Sequence, residues 1–229
     1  MSKTKQLESN RLSETLRRFC IVVVFSVAFA YIEAAVVVYL REIFYPAGFT
    51  FPLPQFGINV SPLWRRLLLT EAGREAATMV LILTGCWLSG RNRRQRFAYF
   101  LIIFAIWDIF YYVWLKVLVD WPASIMDWDI LFLMPLTWAS PILAPVLVSL
   151  AMLYIGSVVI YRDACGRPVR FSLIDRLGLC IAVLVLIFGF CVGGSRITEP
   201  GFASHFHWPI FMTGAILALA VFAKCVLKS

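Results

Sequence analysis

The 229-residue sequence is poor in charge and nearly empty of histidine: Asp, Glu, Lys and Arg together make up 15% of it, and His occurs twice. Soluble domains carry about a quarter of their residues as charge, so a water-soluble globular fold is excluded. Six cysteines at positions 20, 86, 165, 180, 191 and 225 form no C-x-x-C pair, which argues against a disulfide framework and against a zinc site. There is no G-x-S-x-G elbow for a hydrolase nucleophile and no Glu-x-x-His of the ferritin-like diiron kind. With His205 and His207 as its only histidines, the chain offers no pair for a haem inside a helical bundle.

Apolar residues dominate instead, at 61% with a mean hydropathy of +0.84. A bilayer core needs roughly 20 apolar residues per helix, so six spans use about 120 residues and leave too little for a separate soluble domain. The uninterrupted apolar runs predict helices at about Phe19–Leu40, Glu71–Gly90, Phe97–Val119, Ile130–Tyr161, Leu177–Val192 and Trp208–Leu227. The fold class is therefore an all-α polytopic membrane protein of about six transmembrane helices. Pro135, Pro141 and Pro145 predict that helix four is kinked or broken, with a short interfacial piece around Ser124–Met134 before the true span. Helix five is short unless it begins near Ser172, with Asp175 and Arg176 at headgroup level.

The formal net charge of +8 is distributed by topology rather than gathered for nucleic acid. Fifteen of the twenty-one Lys and Arg residues lie in residues 1–18, in Arg91–Arg96, in Arg162–Arg176 or near the C-terminus. Positive charge is retained on the cytoplasmic side during insertion, so both termini are expected in the cytoplasm, with a tail at 1–18 and one six-helix domain at 19–229. The location this implies is a bacterial-type inner membrane. The N-terminal basic region and the Ala28-Phe29-Ala30 triplet resemble a cleavable signal, but the apolar run continues to Leu40 and the leader carries Glu8 and Glu14. Trp64, Trp114, Trp121, Trp128 and Trp208 fall at the predicted outer helix ends, as interfacial rings do.

Acidic residues run the other way: nine of thirteen lie within the membrane or outside it. Glu33, Glu75 and Asp108 sit inside three separate apolar runs, where a charged side chain facing lipid costs a few kcal/mol or more, so each should point toward protein or water. At 1.5 Å per residue all three come out in the outer half, in a layer about 6 Å thick. Glu71 shares a helical face with Glu75, Thr78 and Ile82, and Arg74 flanks it; Asp108 shares a face with Tyr111 and Tyr112. A short echo, Glu33-Ala34-Ala35 and Glu75-Ala76-Ala77, sets two acids beside small residues that permit close packing.

Three outcomes fit such carboxylates. Arg74 can neutralise them, with Arg41 or Lys116 reaching inward; a divalent metal ion can bind; or burial and mutual repulsion can make them hold protons. In the metal case Glu33, Glu75 and Asp108 form an inner shell, closed by Glu71, Asp129 and His207, with Arg74 and Tyr112 as the ion-pairing and orienting groups. The expected function is thus an outward-facing, carboxylate-lined cavity for a cation or protons, with a membrane-embedded metalloenzyme as its sharpest form. The alternatives are a structural or accessory subunit with a buried Arg–carboxylate network, or a small transporter. The expected partners are the lipid bilayer and either a membrane-protein partner or a second copy of the chain, with no nucleic acid.

Overall fold

The structure is a computed structural model that describes residues 2–45, 48–50, 62–132, 137–192 and 206–228, the side chains of 2–5, 7, 8 and 64 excepted. Six helices make up most of it: α1 (Ser2–Phe44), α2 (Pro62–Ser89), α3 (Arg93–Val119), α4 (Leu143–Ala164), α5 (Leu173–Cys191) and α6 (Trp208–Leu227). Five of them, all but α2, are long and apolar enough to cross a membrane. At 28 residues α2 has the length, about 42 Å, but Arg65, Arg66, Glu71, Arg74 and Glu75 dilute its apolar content.

The helix termini follow from local chemistry. Asn92 caps α3 by accepting the Gln95 N–H at 2.9 Å. Ser172 and Asp175 form a reciprocal capping box, which starts α5 at Leu173 and gives this span the added length expected for it. Pro62 opens α2 in the first turn, where a missing N–H leaves nothing unsatisfied.

The start of helix four differs from the expectation. Residues expected to be helical from Ile130 instead form an antiparallel hairpin of β1 (Trp128–Phe132) and β2 (Trp138–Pro141), with Asp129 opposite Ser140 and an irregularity between Ile130 and Phe132. Pro141 and Pro145 explain why helix cannot extend back through this stretch, since each lacks the N–H a continuing ladder needs. Pro141 ends a strand, and Pro145 falls in the first turn of α4, where no intrahelical acceptor awaits it. Pro135 lies outside the described residues. Among the described residues the elements other than this hairpin are all helices.

α3 is the centre of the bundle, packing on α1, α2 and α4, while α5 and α6 pair with each other and meet the rest through α4 and β2. Its Ala98, Ile102, Ile103 and Ala105 are completely buried. Small residues set two close approaches: a Cβ on Gly156 of α4 would lie 2.8 Å from the Ala98 carbonyl oxygen of α3, and one on Gly214 of α6 would lie 3.0 Å from the Ala182 oxygen of α5. Within lipid, where apolar surface gives no drive to associate, such backbone proximity is what holds helices together. α1 and α2 are not a packed pair of this kind; both lie on α3, and the close packing expected from the Glu-Ala-Ala echo is replaced by long side chains bridging between them.

Polar contacts define two ends. At the termini end Arg18 donates to the Ser89 carbonyl, Gln95 to Asp163 at 2.7 Å, and Arg162 to the Val226 carbonyl at 2.7 Å. The hairpin marks the opposite end, where the intramembrane acids gather.

Candidate functional site: a cavity along the central helix

A cavity of about 860 Å³ is bounded by all six helices and the hairpin. One face of α3 forms its floor: Phe97, Phe100, Phe104, Trp107, Asp108, Tyr111 and Tyr112 recur at intervals of three and four residues, the repeat of a single helical face. From Phe97 to Tyr112 this floor runs about 22 Å. Toward the termini end the walls are apolar, with Met152 and Ile155 of α4 facing Ala215 and Leu219 of α6. All the charged residues of the lining, Glu33, Arg41, Glu71, Arg74, Glu75, Asp108 and Asp129, come from the hairpin half.

Two arginines organise that end. Arg74 reaches from α2 to Glu33 on α1 and also clamps Glu71, its Nε donating to Oε2 at 2.9 Å. Thr78, one turn further along α2, donates its hydroxyl to the other Glu33 oxygen at 3.1 Å. Arg41, near the end of α1, pairs with Asp129 of β1 at 3.2 Å and lies over the rings of Trp121 and Phe49, 3.8 and 4.2 Å from their centroids. Tyr111 donates its hydroxyl to the second Asp129 oxygen at 3.2 Å. Asp129 is only 2% exposed, and its burial outweighs Arg41 and pushes the carboxyl up to about 6. Asp108 has a different environment: among the described residues it accepts its side-chain hydrogen bond from the Ser149 hydroxyl of α4, at 2.8 Å.

The expected ligand shell is thereby corrected. Glu33, Glu71, Glu75, Asp108 and Asp129 do line one cavity, but among the described residues no group of three or more acids, histidines or cysteines is close enough to hold a metal ion. The physical reason is the guanidinium groups: Arg74 stands where a cation would bridge Glu33 and Glu71, and Arg41 does the same for Asp129. His207 is exposed, precedes α6 and is absent from the lining, so it does not close the site. His205 lies outside the described residues. Asp127 holds its own turn by accepting the Ala123 and Ser124 amides, and Lys116 pairs with Asp120 at the surface.

Tyr112 lines the cavity, and Tyr111 is the phenol that donates to a carboxylate. Both share a face with Asp108 in the sequence pattern, and only the hairpin decides which one meets Asp129. Ser149 was the unforeseen partner. A lone hydroxyl inside the apolar run Leu147–Leu150 is the signal that marks it, since such a group in lipid seeks an acceptor.

Compared with models of protein families, with curated proteins and with solved structures, the chain matches none. The functional reading therefore rests on the cavity itself.

Proposed function

We propose that this is a six-span inner-membrane protein, with both termini cytoplasmic, whose cavity binds an amphipathic, lipid-soluble ligand. The ligand's chain lies along the aromatic face of α3, and its head sits at the hairpin end, facing the outer leaflet. The observation that carries this reading is the division of the cavity into a long apolar part and a single polar end. Pockets for small molecules are mostly apolar with a few placed polar groups, and this cavity of about 860 Å³ falls in their usual size range. α2 serves as the sixth span because Glu71 and Arg74 meet each other and Glu33 rather than lipid. The basic connectors gathered at the termini end support a cytoplasmic assignment for it. Cation binding fits less well, because arginines already hold three of the carboxylates; proton binding keeps Asp108 as its candidate.

A second reading, an accessory subunit of a membrane complex or a homo-oligomer, draws support from the Arg74 bridge, which ties α1 to α2 through protein side chains. The two are separated by photolabelling in lipid nanodiscs with a diazirine-bearing long-chain amphiphile. The ligand reading expects labels on Phe104, Met152 and Ile187 inside the cavity, and their loss in Ala215→Trp, which sets an indole into the groove. Labels confined to outward-facing residues such as Leu83, Ile181 and Leu184 would refute it.

A further inference from the structure

Residues on one stretch of α3 line the cavity, and two of them carry polar groups without the partners their neighbours have. Trp114 donates its Nε1–H to the Val27 carbonyl at 3.0 Å, and Tyr111 donates to Asp129. The Trp107 Nε1–H and the Tyr112 hydroxyl are buried, each on a residue only 6% exposed, and meet no hydrogen-bond partner among the described residues. Asp108, one residue from Trp107 and one turn from Tyr112, takes its hydrogen bond from Ser149. Among the described residues no lysine or arginine forms an ion pair with it, in contrast to Glu33, Glu71 and Asp129. Buried polar groups are almost always paired, so two unpaired donors carried by residues that line one cavity point to a bound group that supplies the acceptors.

The charges narrow what that group is. Both arginines in the lining are engaged, Arg74 by two carboxylates and Arg41 by Asp129 and two rings. Neither is free to take a phosphate or carboxylate head, and the surplus of acids would repel one. An ammonium head would suit Asp108 but would leave the Trp107 N–H, which can only donate, without an acceptor. An uncharged oxygen acceptor suits the indole, the phenol and the serine-bonded carboxyl together.

Building on the lipid-soluble ligand proposed above, we infer that its head is an uncharged carbonyl oxygen received by Tyr112 and Trp107 beside Asp108, with its apolar chain on Phe104, Phe100 and Phe97. A quinone ring or an acyl ester would both supply this chemistry.

The test uses the full chain in nanodiscs and radiolabelled probes: decyl-benzoquinone, methyl laurate, dodecylamine and dodecyl phosphate. Saturable uptake over empty nanodiscs is expected for one or both carbonyl probes, and which of them binds identifies the source. Tyr112→Phe, which keeps the ring and removes the hydroxyl, should weaken the bound carbonyl probe about fivefold, the effect of one neutral hydrogen bond. The infrared carbonyl band of the bound probe should stand at lower wavenumber than in lipid and move back in Tyr112→Phe, a readout independent of any change in protein yield. Uptake of the amine or phosphate probe in place of the carbonyl probes overturns the carbonyl assignment and leaves the cavity reading standing. Carbonyl uptake with an unshifted band and no effect of Tyr112→Phe also overturns it. Uptake of no probe overturns both.

Discussion

Replacing Arg74 by Met keeps most of its volume and removes the one cation shared by Glu33 and Glu71. The Arg74 side chain is only 20% exposed, and the two carboxylates are at 9% and 11%, so solvent can restore little of what is lost. Breaking a buried pair by deleting one partner costs about 3–5 kcal/mol, chiefly because the other charge is left uncompensated. The triple variant Arg74→Met, Glu33→Gln, Glu71→Gln removes all three charges and should recover most of that loss, since an apolar or neutral replacement of a buried pair is often neutral or better. Glu33→Gln alone should be the mildest single change, because Arg74 keeps Glu71. Unfolding in mixed micelles, followed by circular dichroism as the SDS fraction rises, gives the free energies, and the cycle among the variants isolates the coupling. A cost below about 1 kcal/mol for Arg74→Met, or a triple variant no more stable than the single one, would refute the claim that this network compensates buried charge.

Three further outcomes follow from other parts of the structure. Gly156→Val should destabilise the protein by about 1–3 kcal/mol, because the new Cβ would fall 2.8 Å from both the Ala98 oxygen and Ile102 Cγ1, whereas Gly73→Ala, with nothing within 4 Å, should cost nothing; the same unfolding assay checks both. Asp129 titrates in the folded chain at about 6, above the unfolded value of about 3.9, so the folded state holds the extra proton between them. Its contribution to stability should be full below about pH 4 and be lost as pH rises through about 6, up to about 3 kcal/mol, and Asp129→Asn should flatten the curve by that amount. A green fluorescent protein fused after Ser229 should fluoresce and alkaline phosphatase inserted at Ser124 should be active; the reverse pattern would invert the proposed orientation.

Long, uniformly apolar runs were the most legible part of the sequence, because their length alone fixes what they can be. The sixth helix runs from Trp208 to Leu227 as read, and the Ser172–Asp175 start of α5 follows from a cap whose chemistry is local. The hairpin was not legible. The sequence over 128–134 is as apolar as a helix, and the pairing of 128–132 with 138–141 depends on contacts that no period along the chain records. The same gap explains the candidate site: helical spacing put Glu33, Glu75 and Asp108 at one level, but the partner of each depends on rotation about the helix axis and on the hairpin register. Arg41 is the clearest case, since its engagement requires Phe49 and Trp121, from segments far apart in sequence, to stack around it. Charge balance was readable in outline, because a lone Arg inside a run with several acids must meet them.

The bundle is held by two kinds of seam. At the hairpin end α1 is fixed by charge, through Arg74 to α2 and through Arg41 to β1, with Tyr111 bringing in α3. There the α5–α6 pair is held by shape: Trp138 stacks on Phe190 with rings 2° from parallel, and the backbone of Phe211 comes close to Gly189. Its ion pair, Lys224 to Asp175 at 2.7 Å, and the hydrogen bond from Arg162 to the Val226 carbonyl lie at the termini end. A perturbation of charge should therefore stay on its own seam. Hydrogen exchange on Arg74→Met should show faster exchange in α1 and α2 around Glu33 and Glu71, while α5 and α6 keep their protection. Loss of protection spread evenly over all six helices would mean that the two seams form one cooperative unit, and that the aromatic contacts cannot hold α5–α6 once the charges on the far side of the cavity are released.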